Sequence, residues 1–300
     1  MANVSKRTIG IITPDEKKPF PFDKEKISKI KKTEENGYSI LVHSGVNHFD
    51  DRACVALFRL IMAGSPVTYT RAIIDPINND NPAWEQEVPE GKVSVIADIG
   101  RRYDPENGYF DHHQELDESH KNFAAFGLMW EYFTTPETRE YYREFDEFVR
   151  SMDEHDTGVQ PSAVCNFIKA YNKFVDPVYG EFDSEDNLFT DSVSFLTMMF
   201  RRMLINSHIT RKAEAAVAVN STVKTVKNSI GNEVNILMMN QFYPAWNSYA
   251  VSKNCVLTAW KTGPDDARNP NKYLVQIVRP DMNSYEAPVR FPEEWSDKKT

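Results

Sequence analysis

Tyr38-Ser-Ile-Leu-Val-His43-Ser-Gly-Val-Asn-His48-Phe-Asp50-Asp51-Arg-Ala-Cys-Val-Ala-Leu-Phe-Arg-Leu-Ile-Met-Ala-Gly64 decides the fold class. Its first six residues form a short apolar run with a polar end, the pattern of a buried strand. From Asp51 to Gly64 the apolar positions recur at helical spacing. Asp50 or Asp51 is placed to cap that helix and Gly64 to stop it. Val67–Ala72 reads as a second strand and Val93–Asp98 as a third. Strand, helix, strand, strand in this order points to an α/β fold with a parallel sheet built from crossover units. Such sheets collect ligands at the carboxyl ends of their strands. His43 and Asp98 stand at two of those ends.

The chain has seven histidines, and four of them fall in two short acid-rich clusters. His43 and His48 accompany Asp50 and Asp51, while His112 and His113 follow Asp111. Imidazole and carboxylate together suit Mn²⁺, Fe²⁺ or Zn²⁺, whereas Mg²⁺ and Ca²⁺ prefer oxygen alone. His48 and Asp50 lie in the turn leading into the helix, where they can face neighbouring ions, and Asp98 is placed to bridge both. A compact turn, Asp104–Gly108, would return Asp111-His112-His113 to the same edge. Asp156 sits at a helix end, with Gly158 letting the chain turn. A pair of divalent ions stabilises the attacking and the leaving oxygens of a phosphoester together, so the pattern points to a metal-dependent hydrolase. Each piece alone is what polar turns contain anyway. Their order and placement carry the reading.

The remainder of the chain bounds that function. Residues 1–37 read as an appendage, with a short strand near Thr8–Thr13 and a charged stretch at Lys24–Lys32. Ala124–Phe133, Pro136–Met152, Ser162–Phe174 and Asp191–Lys227 show helical spacing, and strands follow at Glu233–Met239, Asn254–Lys261 and Lys272–Val278. The net charge of −9 argues against a long phosphate track, so a nucleic-acid substrate would be short or gripped at one end. Arg101-Arg102, Arg201-Arg202 and Arg211-Lys212 read as solvated faces. No apolar run approaches the ~20 residues of a membrane helix, and the N-terminus lacks the apolar core of a secretory signal. Cys54, Cys165 and Cys255 show neither zinc spacing nor a disulfide framework, which fits small buried hydrophobes in the cytoplasm. No glycine-rich phosphate loop or nucleophile elbow occurs. Of the remaining histidines, His120, just beyond the double histidine, is the one expected to approach substrate; His155 and His208 read as structural or surface.

The motifs, in this order, resemble those of the DHH phosphoesterase superfamily, which includes exonucleases, nano-RNases, cyclic-dinucleotide phosphodiesterases and manganese pyrophosphatases. The first motif, His43-x4-His48-x-Asp50, looks like the Myg family, named for the melanocyte proliferating gene. The similarity continues through Ala97-Asp98-Ile-Gly100, Tyr109-Phe-Asp-His-His-Gln114 and Asp153-Glu-His-Asp156-Thr-Gly158. It returns more loosely at Tyr273-Leu-Val-Gln-Ile-Val-Arg-Pro280, Ser284-Tyr-Glu and Phe291-Pro-Glu-Glu-Trp295. Asp51 stands where the family usually has Glu. The arginine that usually precedes its Leu-Pro-x-x-Trp stretch aligns with Pro288, with Arg290 two residues away.

The resemblance implies that His43 and His48 bind one ion, that Asp50, His112 and Asp156 bind a second, and that Asp98 bridges them. It implies that His113 faces the scissile phosphate, oriented with its neighbours by Asp111, and that the ions are Mn²⁺. His120 and Arg290 are the expected substrate contacts. The expected organisation is an extension (1–37), a catalytic domain (38–190), a helical linker (191–231) and a smaller mixed α/β substrate-binding domain (232–300). The expected activity is 3′–5′ exonucleolytic release of mononucleotides from short single-stranded RNA or DNA, with homo-oligomers open. The alternatives are hydrolysis of cyclic or linear dinucleotides or of pyrophosphate, and a non-catalytic nucleotide- or partner-binding role.

Overall fold

A computed structural model of the chain describes residues 6–9, 21–33, 37–44, 49–73, 91–172, 185–228, 230–261 and 273–280. The chain separates into two compact units, Met1–Ser207 and His208–Thr300.

The first unit is built on a six-stranded sheet. Its strands are β1 (Lys6–Ile9), β2 (Tyr38–Ser44), β3 (Val67–Ile73), β4 (Val95–Ala97), β5 (Tyr103–Asp104) and β6 (Tyr109–Phe110), in the order β1-β3-β2-β4-β6-β5. The β3-β2-β4-β6 core is parallel, and β1 and β5 close the two edges antiparallel. Ile40 is at the centre, in register with Tyr69 on one side and Val95 on the other. Strand β2 is buried from Ser39 to His43, as a central parallel strand covered on both faces must be. Here the sequence reading and the structure agree: the protein is mixed α/β with a parallel sheet.

Helices supply the cover: α1 (Lys24–Lys29), α2 (Phe49–Ile61), α3 (Ala125–Tyr132), α4 (Pro136–Tyr141), α5 (Arg143–Asp156), α6 (Ala163–Asn172) and α7 (Glu185–Asn220). Every residue of α2 is buried, including Arg52 and Arg59, so this helix is enclosed on all sides. Asp50 and Asp51 lie inside its first turn, not at a cap preceding it. Rings lock α3, α5 and α7 together: Phe126 stacks on Phe200 at 5.2 Å, and Phe145 meets Phe200 edge-on at 5.4 Å. Truncating such a buried ring to alanine costs about 3–5 kcal/mol. The site described below therefore stands on rigid elements.

Residues 1–37 are more than an appendage where they are described. β1 extends the sheet, and Phe22 and Ile30 belong to the main core. Within the expected strand near Thr8–Thr13, only Thr8 and Ile9 fall inside β1; residues 10–13 lie outside the described residues.

The second unit carries a four-stranded sheet of β7 (Ser221–Lys227), β8 (Glu233–Met239), β9 (Cys255–Lys261) and β10 (Tyr273–Ile277), ordered β10-β9-β8-β7, with helix α8 (Trp246–Ser252). Its core gathers Val217, Leu237, Met239, Ala250, Cys255, Trp260 and Val278. The helix expected to continue through the linker to Lys227 ends at Asn220. Residues 221–227 instead pair antiparallel with β8, and their run Thr222-Val223-Lys224-Thr225-Val226 is rich in β-branched side chains that favour a strand. No described helix is long and apolar enough to cross a membrane.

Candidate metal centre

From β2 the chain crosses through α2 to β3 on one side, and the next parallel neighbour, β4, lies on the other. That reversal opens a crevice at the carboxyl ends of β2 and β4. His43 is the penultimate residue of β2, and Asp98 follows β4 directly. Asp98 has φ +57°, in the left-handed region that Asp tolerates better than most residues. Its N–H donates to the Phe110 carbonyl at 3.0 Å, tying the turn to β6. Gly100 and Arg101, at φ +105° and +49°, complete the sharp reversal.

The turn aims the Asp98 carboxylate between two imidazoles. Oδ2 lies 3.2 Å from His43 Nε2, and Oδ1 lies 3.2 Å from His112 Nε2. His43 Nε2 is also 3.2 Å from Asp51 Oδ2, and His112 Nε2 is 3.3 Å from Asp156 Oδ2. Three sets of side chains each offer ligand atoms within 4.8 Å of one another: His43, Asp51 and Asp98; Asp50, His112 and Asp156; and Asp98, Asp111, His112 and His113. Asp98 links the first set to the histidine of the second.

Asp111 organises the double histidine. Its Oδ1 accepts from His112 N (2.7 Å), His113 N (3.1 Å) and His113 Nδ1 (2.7 Å), and its Oδ2 accepts from Arg101 N (2.5 Å). Burial pushes the Asp111 carboxyl up, but the His113 hydrogen bond and these backbone donors outweigh it and hold it below the usual range. The same bond raises His113, whose side chain is 44% exposed. With Nδ1 directed at Asp111, His113 keeps Nε2 for another partner.

Electrostatically the centre is crowded with buried anions. Burial, then the charges of Asp98, Asp156 and Asp153, pushes Asp50 well above the ordinary carboxylate range. Burial and Asp98 do the same to Asp51, against the opposing pull of His43, Arg52 and Arg71. Asp98 goes the other way: burial would raise it, but the adjacent His112 and His43 hold it well below. Asp51 Oδ1 is a buried oxygen with no hydrogen-bond donor among the described residues, and Asp98 Oδ2, equally buried, faces the His43 ring at 3.2 Å without the geometry of a good hydrogen bond. Buried carboxylates left in this way are stabilised by a cation, and mixed imidazole and carboxylate donors suit a first-row divalent ion. These buried groups could hold a metal ion.

The structure thus brings together His43, Asp50, Asp98, Asp111, His112, His113 and Asp156. It adds Asp51, which the sequence reading treated as a helix cap. The signal for it was present: two consecutive aspartates entering a helix can serve opposite sides of one site. His48 and Arg290 lie outside the described residues. His120 is engaged elsewhere, with Nδ1 2.9 Å from Asp117 Oδ1 and Nε2 2.9 Å from Glu131 Oε2. Its ring also packs against Tyr103 and Phe123.

A family model, MYG1_exonuc, described as an uncharacterised protein family (UPF0160), matches residues 39–299. No curated protein and no solved structure matches the chain.

Proposed function

The chain belongs to the MYG1_exonuc family, and from that premise and the metal centre we propose that it is a two-metal phosphodiesterase of the DHH type. Its proposed reaction is 3′–5′ release of mononucleotides from short single-stranded RNA or DNA, with Mn²⁺ as the ion. The observation that carries this reading is Asp98, whose two oxygens each lie 3.2 Å from a different imidazole. A carboxylate held in this way between two imidazoles could serve as a ligand common to two ions. The family's name supports the nuclease class, and the acid-rich, buried donor set supports the metal.

In this reading His43 and Asp51, with His48, would hold one ion, Asp50, His112 and Asp156 would hold the other, and Asp98 would serve both. Bound there, divalent ions would supply charge that favours deprotonation of water and stabilises phosphoryl oxygens. The protein's own groups do the rest. Asp111 fixes the ring of His113 through Nδ1, so that Nε2 can donate to a phosphate oxygen as negative charge develops. The bond to Asp111 favours the protonated ring of His113 in the metal-free protein. Asp111 also holds the backbone of both histidines, so the orientation of His112 does not depend on the substrate.

The net charge of −9 favours a small or end-bound substrate, and hydrolysis of dinucleotides is the second reading. A 5′-labelled short RNA incubated with metal-stripped protein separates the two. A Mn²⁺-dependent ladder absent in His112→Ala supports the exonuclease. Cleavage confined to dinucleotides moves the assignment to the second reading, and no cleavage of either, with metal bound, overturns both.

A further inference from the structure

Helix α3 begins without a capping side chain of its own, since Ala124 occupies the cap position and makes no side-chain hydrogen bond. The first N–H groups of a helix need acceptors when buried. Here two carboxylates from distant parts of the chain supply them. Asp50 of α2 accepts from Ala125 N and Phe126 N, both at 2.9 Å. Asp153 of α5 accepts from Gly127 N at 3.1 Å. One helix end therefore seats two buried aspartates side by side.

Two features show how closely Asp153 is fitted. A Cβ on Gly127 would lie 1.9 Å from Asp153 Oδ2 and 2.5 Å from Cγ, so the carboxylate occupies space that any side chain would need. The Asp153 carbonyl, in turn, accepts from Thr157 N at 2.9 Å and Thr157 Oγ1 at 2.8 Å, closing the last turn of α5. Asp156 is in that last turn, three residues on, and so shares a face of α5 with Asp153. His112 is the partner of Asp156 at 3.3 Å.

We propose that Asp153 is a positioning residue for the Asp50, His112 and Asp156 half of the centre. It touches no ion. By seating α5 on the N-terminus of α3, beside the seat of Asp50, it fixes both carboxylates of that half against His112. The inference rests on the metal reading above and assigns to Asp153 a part in ion affinity and not only in folding. Outer partners that orient metal ligands typically alter affinity about 10–100-fold when removed.

The test is a Mn²⁺ titration of metal-stripped full-length protein, following the free-ion signal by electron paramagnetic resonance, with melting of each metal-free variant measured alongside. Wild type should bind two ions. Asp153→Ala should weaken one of them at least about 10-fold, within the range for an outer partner, and leave the other unchanged. Asp153→Asn keeps an oxygen that can accept from Gly127 N and should restore affinity to within about threefold. Should the alanine variant not fold, Asp153→Ser, too short to reach the helix end, carries the same expectation. Unchanged affinity for both ions in a folded Ala or Ser variant overturns the inference, even if the melting temperature falls. An equal loss in Asp153→Asn overturns it too, since charge and not position would then be responsible. Absence of any Mn²⁺ binding by wild type is a different result, and removes the metal reading itself.

Discussion

The two ligand sets of the candidate metal centre differ in their access to solvent. His43, Asp51 and Asp98 are all buried, whereas of Asp50, His112 and Asp156 only Asp50 is. Side-chain exposure is 3% at Asp51 and 1% at Asp98, against 10% at His112 and 18% at Asp156. The closed half draws on the end of β2, the first turn of α2 and the turn after β4, and all three of its residues are buried. The open half draws on the first turn of α2, the double histidine and the end of α5, and two of its three residues reach solvent. In the two-ion reading, the closed half suits an ion that is retained through turnover, and the open half an ion that meets solvent and substrate.

Asp98 is the position at which the distinction should vanish. Asn tolerates the left-handed backbone as Asp does, so Asp98→Asn removes charge from both halves without a conformational penalty. Hydrolysis should fall to background and both Mn²⁺ affinities should drop, measured by single-turnover cleavage and by titration. Loss of only one ion would break the sharing of Asp98. One step smaller, His112→Ala should weaken a single ion by at least about 100-fold, the upper end of what an outer partner achieves, and leave the closed half loaded. Asp51→Asn should act on the other ion. It should also raise the melting temperature of the metal-free protein, because one of several mutually repelling buried carboxylates has gone. A lowered melting temperature would mean that Asp51 is already neutralised by its neighbours.

The smallest effect is on pH dependence. Asp50 and Asp51 are raised by burial, and His113 by its bond to Asp111. A group raised in the folded state contributes stability at low pH, and that contribution is lost as pH rises through its folded value. The depressed carboxyls, Asp98 and Asp111, act in the opposite sense, but only as pH falls below the ordinary carboxylate value near ~4. Metal-free protein should therefore melt a few degrees lower at about pH 8 than at about pH 5, at roughly 2–4 °C per kcal/mol for a unit of this size. Saturating Mn²⁺ should flatten the slope. A slope of equal steepness with the ion bound would place the responsible groups outside the centre.

Much of this arrangement is readable from local pattern. The strand ends that carry His43 and Asp98, the turn before Asp111 and the helix end at Asp156 are all short-range features, and the structure has them. What the pattern does not carry is contact across distance. The seats of Asp50 on Ala125 and Phe126 join residues 75 and 76 positions apart, and nothing local marks Ala124 as an uncapped helix start. Asp51 was concealed by the plausibility of a cap in the same place. At β7 the conflict was between periods: helical spacing runs on past Asn220, and pairing with β8 decides for strand. The short helix Trp246–Ser252 was missed for a related reason, since its first aromatic residues fit a loop as well as a turn of helix.

The first sheet ends in short margins on both sides. Its outermost strands are β1, four residues, and β5, two residues. An edge that short offers little template for a foreign strand, which protects a parallel sheet from joining its neighbours in aggregates. Trimming the chain before residue 10 would uncover the seven-residue β3 in its place. A shortened protein prepared for crystallisation would then precipitate more readily than the full chain.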